Sequence, residues 1–252
     1  MNEKNKGEEE FFIGWQGKAP EKTGRHLRFL VLGGLLVVLG LAAAIPVWQK
    51  TVPKDAAWDY EVKEFTGVLL KEPTPVLVGD EGAVWYLVNE FKFGFDMEVA
   101  EKFHLKRVSL EGSLISREGQ VMIEAFPQTV KDIGGADGTN PLGEPKQLGE
   151  LTLQGEIVDS KCYLGVMTPG NLKPHRACAI NCISGGIPPV LVVRDQKGVA
   201  SYFLLVGADG EAINKEVLPL VAEPVEVRGM FEKLGELQIL KVNPDGLTLL
   251  ES

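Results

Sequence analysis

Pro73–Val88 reads PTPVLVGDEGAVWYLV, and Ile187–Val206 reads IPPVLVVRDQKGVASYFLLV. Each stretch carries proline at or beside its start, runs through Val-Leu-Val, crosses a polar segment containing Asp and Gly, and returns in a second apolar run. Such short apolar runs broken by glycine are β-type. The match extends outward from this pair. Upstream, EFTGVLL (Glu64–Leu70) is answered by LQGEIVD (Leu153–Asp159). Downstream, VSLEGSLISREGQVMIEA (Val108–Ala125) is answered by VEVRGMFEKLGELQILKV (Val225–Val242). Three matched segments in one order read as an internal duplication.

Within the first copy, Phe65–Leu70, Pro75–Val78, Ala83–Val88, Val108–Ile115 and Val121–Ala125 are β-type runs. Val108–Leu114 alternates apolar and polar residues, as a half-buried strand does. Arg117–Gln120 is a turn between two strands. A helical or irregular segment interrupts each copy, at Phe95–Phe103 and at Ala212–Leu218. About five strands per copy, with glycine in the first, predict a small OB-like barrel. An Ig-like β-sandwich is the alternative, but it needs about seven strands. The breaker-rich run Asp132–Pro141 separates the copies. The expected organisation is mainly β: a tail over 1–28, a transmembrane helix over 29–48, a linker over 49–61, a first OB-like domain over 62–131, a linker over 132–148, and a second OB-like domain over 149–252.

Phe29–Trp48 is FLVLGGLLVVLGLAAAIPVW, 20 residues without a charge. At about 1.5 Å per residue this spans about 30 Å, a bilayer core. Ala42–Ala44 resembles a cleavage site, but the long upstream segment containing Glu8–Glu10 is unlike a signal peptide. An uncleaved single-pass anchor is therefore expected. Lys18, Lys22, Arg25 and Arg28 precede the span, whereas Lys50 and Lys54 follow it and are soon offset by Asp55 and Asp59. That bias places the N-terminus in the cytoplasm and the C-terminal domains outside. The aromatic cluster Phe11–Trp15 suits a membrane surface or a partner, so the tail and helix are the expected contacts to other membrane-complex subunits.

The formal charge is −9, and residues 49–252 carry 20 basic against 30 acidic residues. Phosphate binding needs a concentrated basic surface, so nucleic acid is not an expected partner. No Walker loop, GxGxxG, GxSxG or HExxH motif is present, and no catalytic constellation is legible. His26 and His104 stand apart from other candidate groups.

The second copy differs from the first by an insertion at about 160–186, between its first two strands. All 3 cysteines lie in it. The spacing is Cys162-x12-His175-x2-Cys178-x3-Cys182. A helix over His175–Ser184, with Pro174 at its start and Gly185-Gly186 at its end, puts His175, Cys178 and Cys182 on one face. Cys162 comes from the preceding strand end, and Asp159 is placed to orient a ligand. Cys3His suits zinc, copper or iron. No C-x-x-C-H haem motif is present, and an iron–sulfur cluster usually takes four cysteines. Outside the cytoplasm the same cysteines tend to oxidise, so a disulfide from Cys162 to Cys178 or Cys182 is the competing expectation. Tyr163, Met167 and Arg176 read as packing or surface residues.

The run Gly155–Tyr163 with His175–Pro189 follows the pattern GxIVDxxCY…HxxCAxxCxxGGxPP. It resembles a family of bacterial membrane-anchored extracytoplasmic proteins, as does the opening FFIGW…KAP (Phe11–Pro20) before a membrane helix. The resemblance implies an accessory or electron-transfer-associated membrane component. The expected function is therefore an accessory subunit of a respiratory or redox assembly with a Cys/His site. A structural or ligand-binding module with a stapled loop is one alternative, and a thiol-redox or metal-handling factor is another.

Overall fold

The computed structural model describes residues 20–49 and 56–250. The chain divides into two units, Met1–Lys54 and Asp55–Ser252. The aromatic cluster Phe11–Trp15, Lys18, Lys50 and Lys54 lie outside the described residues.

Among its described residues the first unit contains one helix, α1 (Glu21–Gln49), which begins upstream of the apolar run and takes in Lys22, Arg25 and Arg28. Its mean hydropathy reaches 2.6 over 18 residues, long and apolar enough to cross a membrane. Phe29, Val31, Leu36 and Leu39 are exposed at different angles around it. A helix apolar on all sides has no preferred face to bury against a soluble core, which suits lipid.

In the second unit, β1 (Ala56–Leu70) pairs with β2 (Val76–Val78), and β2 pairs with β3 (Val84–Val88). The helix α2 (Met97–Lys102) follows, and then β4 (Arg107–Arg117) and β5 (Gln120–Ala125). β3 runs parallel to β5, β5 pairs with β4, and β4 returns to β1, closing a ring of five strands. The second copy repeats this order. β7 (Lys146–Asp159), β8 (Pro189–Arg194), β9 (Ala200–Gly207), β11 (Leu237–Val242) and β10 (Pro224–Leu234) form the ring, with α4 (Asn214–Val217) between β9 and β10. Here β9 and β11 make the parallel pair. The fold is thus mainly β, with two small barrels of OB-like strand order. Short additions, β6 (Lys131–Asp132) and β12 (Leu247–Leu249), pair with β4 and β10. Between β4 and β5, Glu118 and Gly119 both take positive φ, which a two-residue hairpin turn requires.

The strands reach further than the apolar runs. β1 begins at Ala56, inside the expected 49–61 linker, because Ala56–Asp59 pair with Leu114–Arg117 and Trp58 Nε1 donates to Ser113 Oγ at 2.8 Å. β7 begins at Lys146, inside the expected 132–148 linker, where polar residues pair along β10. Apart from Trp58, which packs against the core between the barrels, these extensions are held mainly by backbone ladder bonds, so hydrophobic patterning does not mark them.

Three cores result. Leu77, Leu87 and Ile123 point into the first barrel, and Leu191, Phe203 and Leu205 into the second. Their sequence neighbours Val76, Val78, Tyr86, Val190, Tyr202 and Leu204 point the other way and meet in a third core between the barrels. Strands buried on both faces have no polar side, which explains the unbroken runs VLV and FLLV. The two barrels form one packed unit.

Candidate functional site

The insertion begins where β7 ends. Ser160 Oγ donates to the Pro188 carbonyl at 2.8 Å, tying its entry to its exit. Cys162–Val166 form one π-type turn, closed by the Met167 N–H donating to the Cys162 carbonyl at 3.1 Å. Such turns are frequent at functional sites. Then comes α3 (Leu172–Ser184), with Pro174 in its first turn, where no intrahelical N–H is needed. The Glu156 carboxylate on β7 accepts the Leu172 N–H at the helix start. Gly185 follows the last turn, and its N–H donates back to the Asn181 and Cys182 carbonyls.

Asp159 organises the local geometry. It is fully buried. Its Oδ1 accepts the Cys162 N–H at 2.8 Å, and its Oδ2 accepts from His175 Nε2 at 2.9 Å. The carboxylate therefore sets both the turn that carries Cys162 and the direction of the imidazole, the orienting role its position suggests. His175 itself is 3% exposed.

The sulfurs of Cys162, Cys178 and Cys182 lie within 4.8 Å of one another. Cys162 Sγ and Cys182 Sγ are 3.9 Å apart, and all three cysteines are unbridged. A second cluster shares Cys162 and adds Asp159 and His175, again within 4.8 Å. The residues of the expected Cys3His set thus fall into two groups. The three sulfurs converge, whereas His175 is engaged by Asp159 and reaches the sulfur group only through Cys162.

Two lysines that motif spacing does not reveal, one from each barrel, cross between the barrels here. Lys92 Nζ donates to Cys178 Sγ at 2.9 Å and lies 4.0 Å from Cys182 Sγ. Lys161 is 2% exposed and crosses the other way: its Nζ donates to the Asn89 and Phe91 carbonyls, each at 2.8 Å, and pairs with the Glu124 carboxylate. Lys161 therefore holds the loop that carries Lys92. The same loop meets the end of α3 backbone to backbone, with the Gly94 N–H donating to the Gly185 carbonyl at 2.9 Å. A Cβ on Gly94 would overlap the Gly186 carbonyl, so this approach requires glycine.

The sulfur electrostatics follow from these contacts. Cys162 and Cys182 share a sulfur–sulfur hydrogen bond, and that bond, together with burial and the Asp159 charge, pushes Cys162 well above the ordinary thiol range. The same hydrogen bond, with help from the Lys92 charge, pulls Cys182 down. The Cys178 contact raises Lys92.

Neighbouring residues serve packing. Tyr163 OH accepts from Arg194 Nη2 at 2.6 Å, and the Arg117 guanidinium lies 4.5 Å from the Tyr163 ring centroid. Arg176 pins α3 through Glu223 and the Pro219 carbonyl. Met167 is partly exposed. His104 accepts the Lys71 N–H, far in sequence and role from the thiols.

Two sulfurs sharing one ion at about 2.3 Å each stand about 3.8–4.0 Å apart in tetrahedral or trigonal geometry. The 3.9 Å Cys162–Cys182 separation matches that requirement. Compared with known proteins, the chain gives no significant match to a family model, a curated protein or a solved structure.

Proposed function

We propose that this protein is a membrane-anchored accessory or metal-handling factor of a redox assembly, and that Cys162, Cys178 and Cys182 bind a soft metal ion. The convergence of three unbridged sulfurs within 4.8 Å carries this reading. Three thiolates suit Cu(I), or zinc with a fourth position open to water or a partner's ligand. An iron–sulfur cluster would need a further ligand. Asp159 and His175 support the Cys162 turn. The basic flank before the membrane helix favours an N-terminus in the cytoplasm and barrels outside. The tail and helix would then contact other subunits, and the resemblance to membrane-anchored extracytoplasmic proteins supports the accessory role.

The test is metal titration with thiol counting on the full chain in detergent, under anaerobic reducing conditions. One Cu(I) or zinc per chain, with all three thiols shielded from alkylation, is the expected result. No bound metal, with all three thiols open to alkylation, would refute it.

A second reading rests on the 3.9 Å separation of Cys162 and Cys182. Thiol–disulfide exchange with an external disulfide oxidant, which is reduced to its dithiol as it takes up two protons and two electrons, would join them as a disulfide and leave Cys178 free, and an extracytoplasmic location favours this. The orientation has its own check. Protease added to intact cells or spheroplasts should digest the barrels and spare the tail, and protection of the barrels would reverse the assignment.

A further inference from the structure

We infer that Lys92 is the counter-cation of the thiol site: the first barrel supplies the positive charge that a metal-loaded site in the second barrel lacks, so metal affinity depends on the first barrel and an occupied site ties the two barrels more firmly. This rests on the metal reading above. Three thiolates around one Cu(I) carry two net negative charges, and around zinc one. The Asp159 carboxylate, within 4.8 Å of Cys162 Sγ, adds another. The basic side chains that the insertion itself carries are engaged elsewhere. Lys161 pairs with Glu124, Lys173 and Arg176 pair with Glu223, and His175 faces Asp159.

Lys92 reaches across from the first barrel instead. Its Nζ donates to Cys178 Sγ at 2.9 Å and stands 4.0 Å from Cys182 Sγ. An ammonium has three donors and no lone pair, so it brings charge without joining the ligand set. A thiolate that gives one lone pair to a metal keeps others for such a donor. Metal binding takes protons off the thiols, and the attraction between Lys92 and the site grows with the negative charge left behind. The other ties on the loop adjoin the same sulfurs. Lys161, which grips the Asn89 and Phe91 carbonyls, immediately precedes Cys162. Gly185, whose carbonyl accepts the Gly94 N–H, follows the helix that carries Cys178 and Cys182. A stronger Lys92 contact therefore closes this loop further onto the second barrel. Lys92 is exposed, so solvent screens its charge and keeps the effect moderate.

The experiment uses the full chain in detergent with Cu(I) as the probe, under anaerobic reducing conditions, comparing wild type with Lys92→Arg, Lys92→Gln and Lys92→Glu. In chelator competition, Lys92→Gln should bind Cu(I) about tenfold more weakly, the lower end of the range for a supporting residue. Lys92→Glu should bind more weakly still, and Lys92→Arg, which keeps the charge, should stay near wild type. In the wild type, Cu(I) should also slow hydrogen exchange in the peptide covering residues 89–94 by about fivefold. That is less than the roughly tenfold of a whole new charge-assisted contact, because the pairing exists before metal enters. Lys92→Gln should lose this protection. Wild-type affinity in Lys92→Gln, or equal weakening in Lys92→Arg and Lys92→Gln, would overturn the counter-charge and leave the metal site standing. Wild type that binds no Cu(I) would overturn both, and metal content alone identifies that case.

Discussion

Replacing Cys182 by serine is expected to lower Cu(I) affinity by about a hundredfold or more. Loss of a supporting residue around a metal usually costs about 10–100-fold, and loss of a ligand costs more. Cys182 is the critical thiol for two reasons. It is buried, so water does not readily replace its sulfur. It faces Cys162 Sγ at 3.9 Å. Cys178→Ser should cost less, because Cys178 is half-buried and water can fill the vacated position. His175→Ala should cost about tenfold, the lower end of the supporting-residue range, since His175 acts through Asp159 rather than on the ion. Chelator competition measures all three. Equal affinities for wild type and Cys182→Ser would rule out the three-thiol site. Under the disulfide reading, Cys182→Ser would instead destabilise the protein by about 2–5 kcal/mol, and His175→Ala would leave metal content unchanged.

Lys161→Met should destabilise the β unit by about 3–5 kcal/mol, the cost of removing one partner of a buried ion pair. The Glu124 carboxylate would lose its counter-charge, and the Asn89 and Phe91 carbonyls would lose their donor. Both consequences fall on the inter-barrel face, so urea denaturation should report a lower midpoint for the whole unit. The double variant Lys161→Met/Glu124→Met should recover much of the loss, because replacing both members of a buried pair by apolar groups is often neutral. A surface control, Lys63→Met, removes an exposed, solvent-screened pair with Asp59 and should leave the urea midpoint essentially unchanged. If Lys161→Met behaved like that control, the link between the barrels would have to lie elsewhere.

Some of this architecture is legible in the chain itself. The repeated order of Val-Leu-Val runs, glycines and turns marks two like units, because a strand's side chains and its turn residues are local requirements. The long apolar helix is likewise local, since 20 uncharged residues need no tertiary partner to be recognised. The insertion stands out by comparing the copies, and it gathers all three cysteines of the chain.

Other features needed the folded chain. The unbroken apolar runs are consistent with strands buried on both faces, but they do not say that the second face is the other barrel. That follows from Val76, Tyr86, Val190 and Tyr202 meeting in one core. The helical spacing places His175, Cys178 and Cys182 on one side of α3, yet a buried Asp159 claims the imidazole and separates it from two of the sulfurs. Lys92 lies 86 residues from Cys178, and Lys161 lies 72 residues from Asn89. Periodicity and motif spacing report what one segment requires of itself, so strand composition, the anchor and the thiol ligand types were determined by the sequence. The joining of two barrels, and the cation that one lends to the thiols of the other, depend on contacts between distant segments and were decided by the tertiary structure.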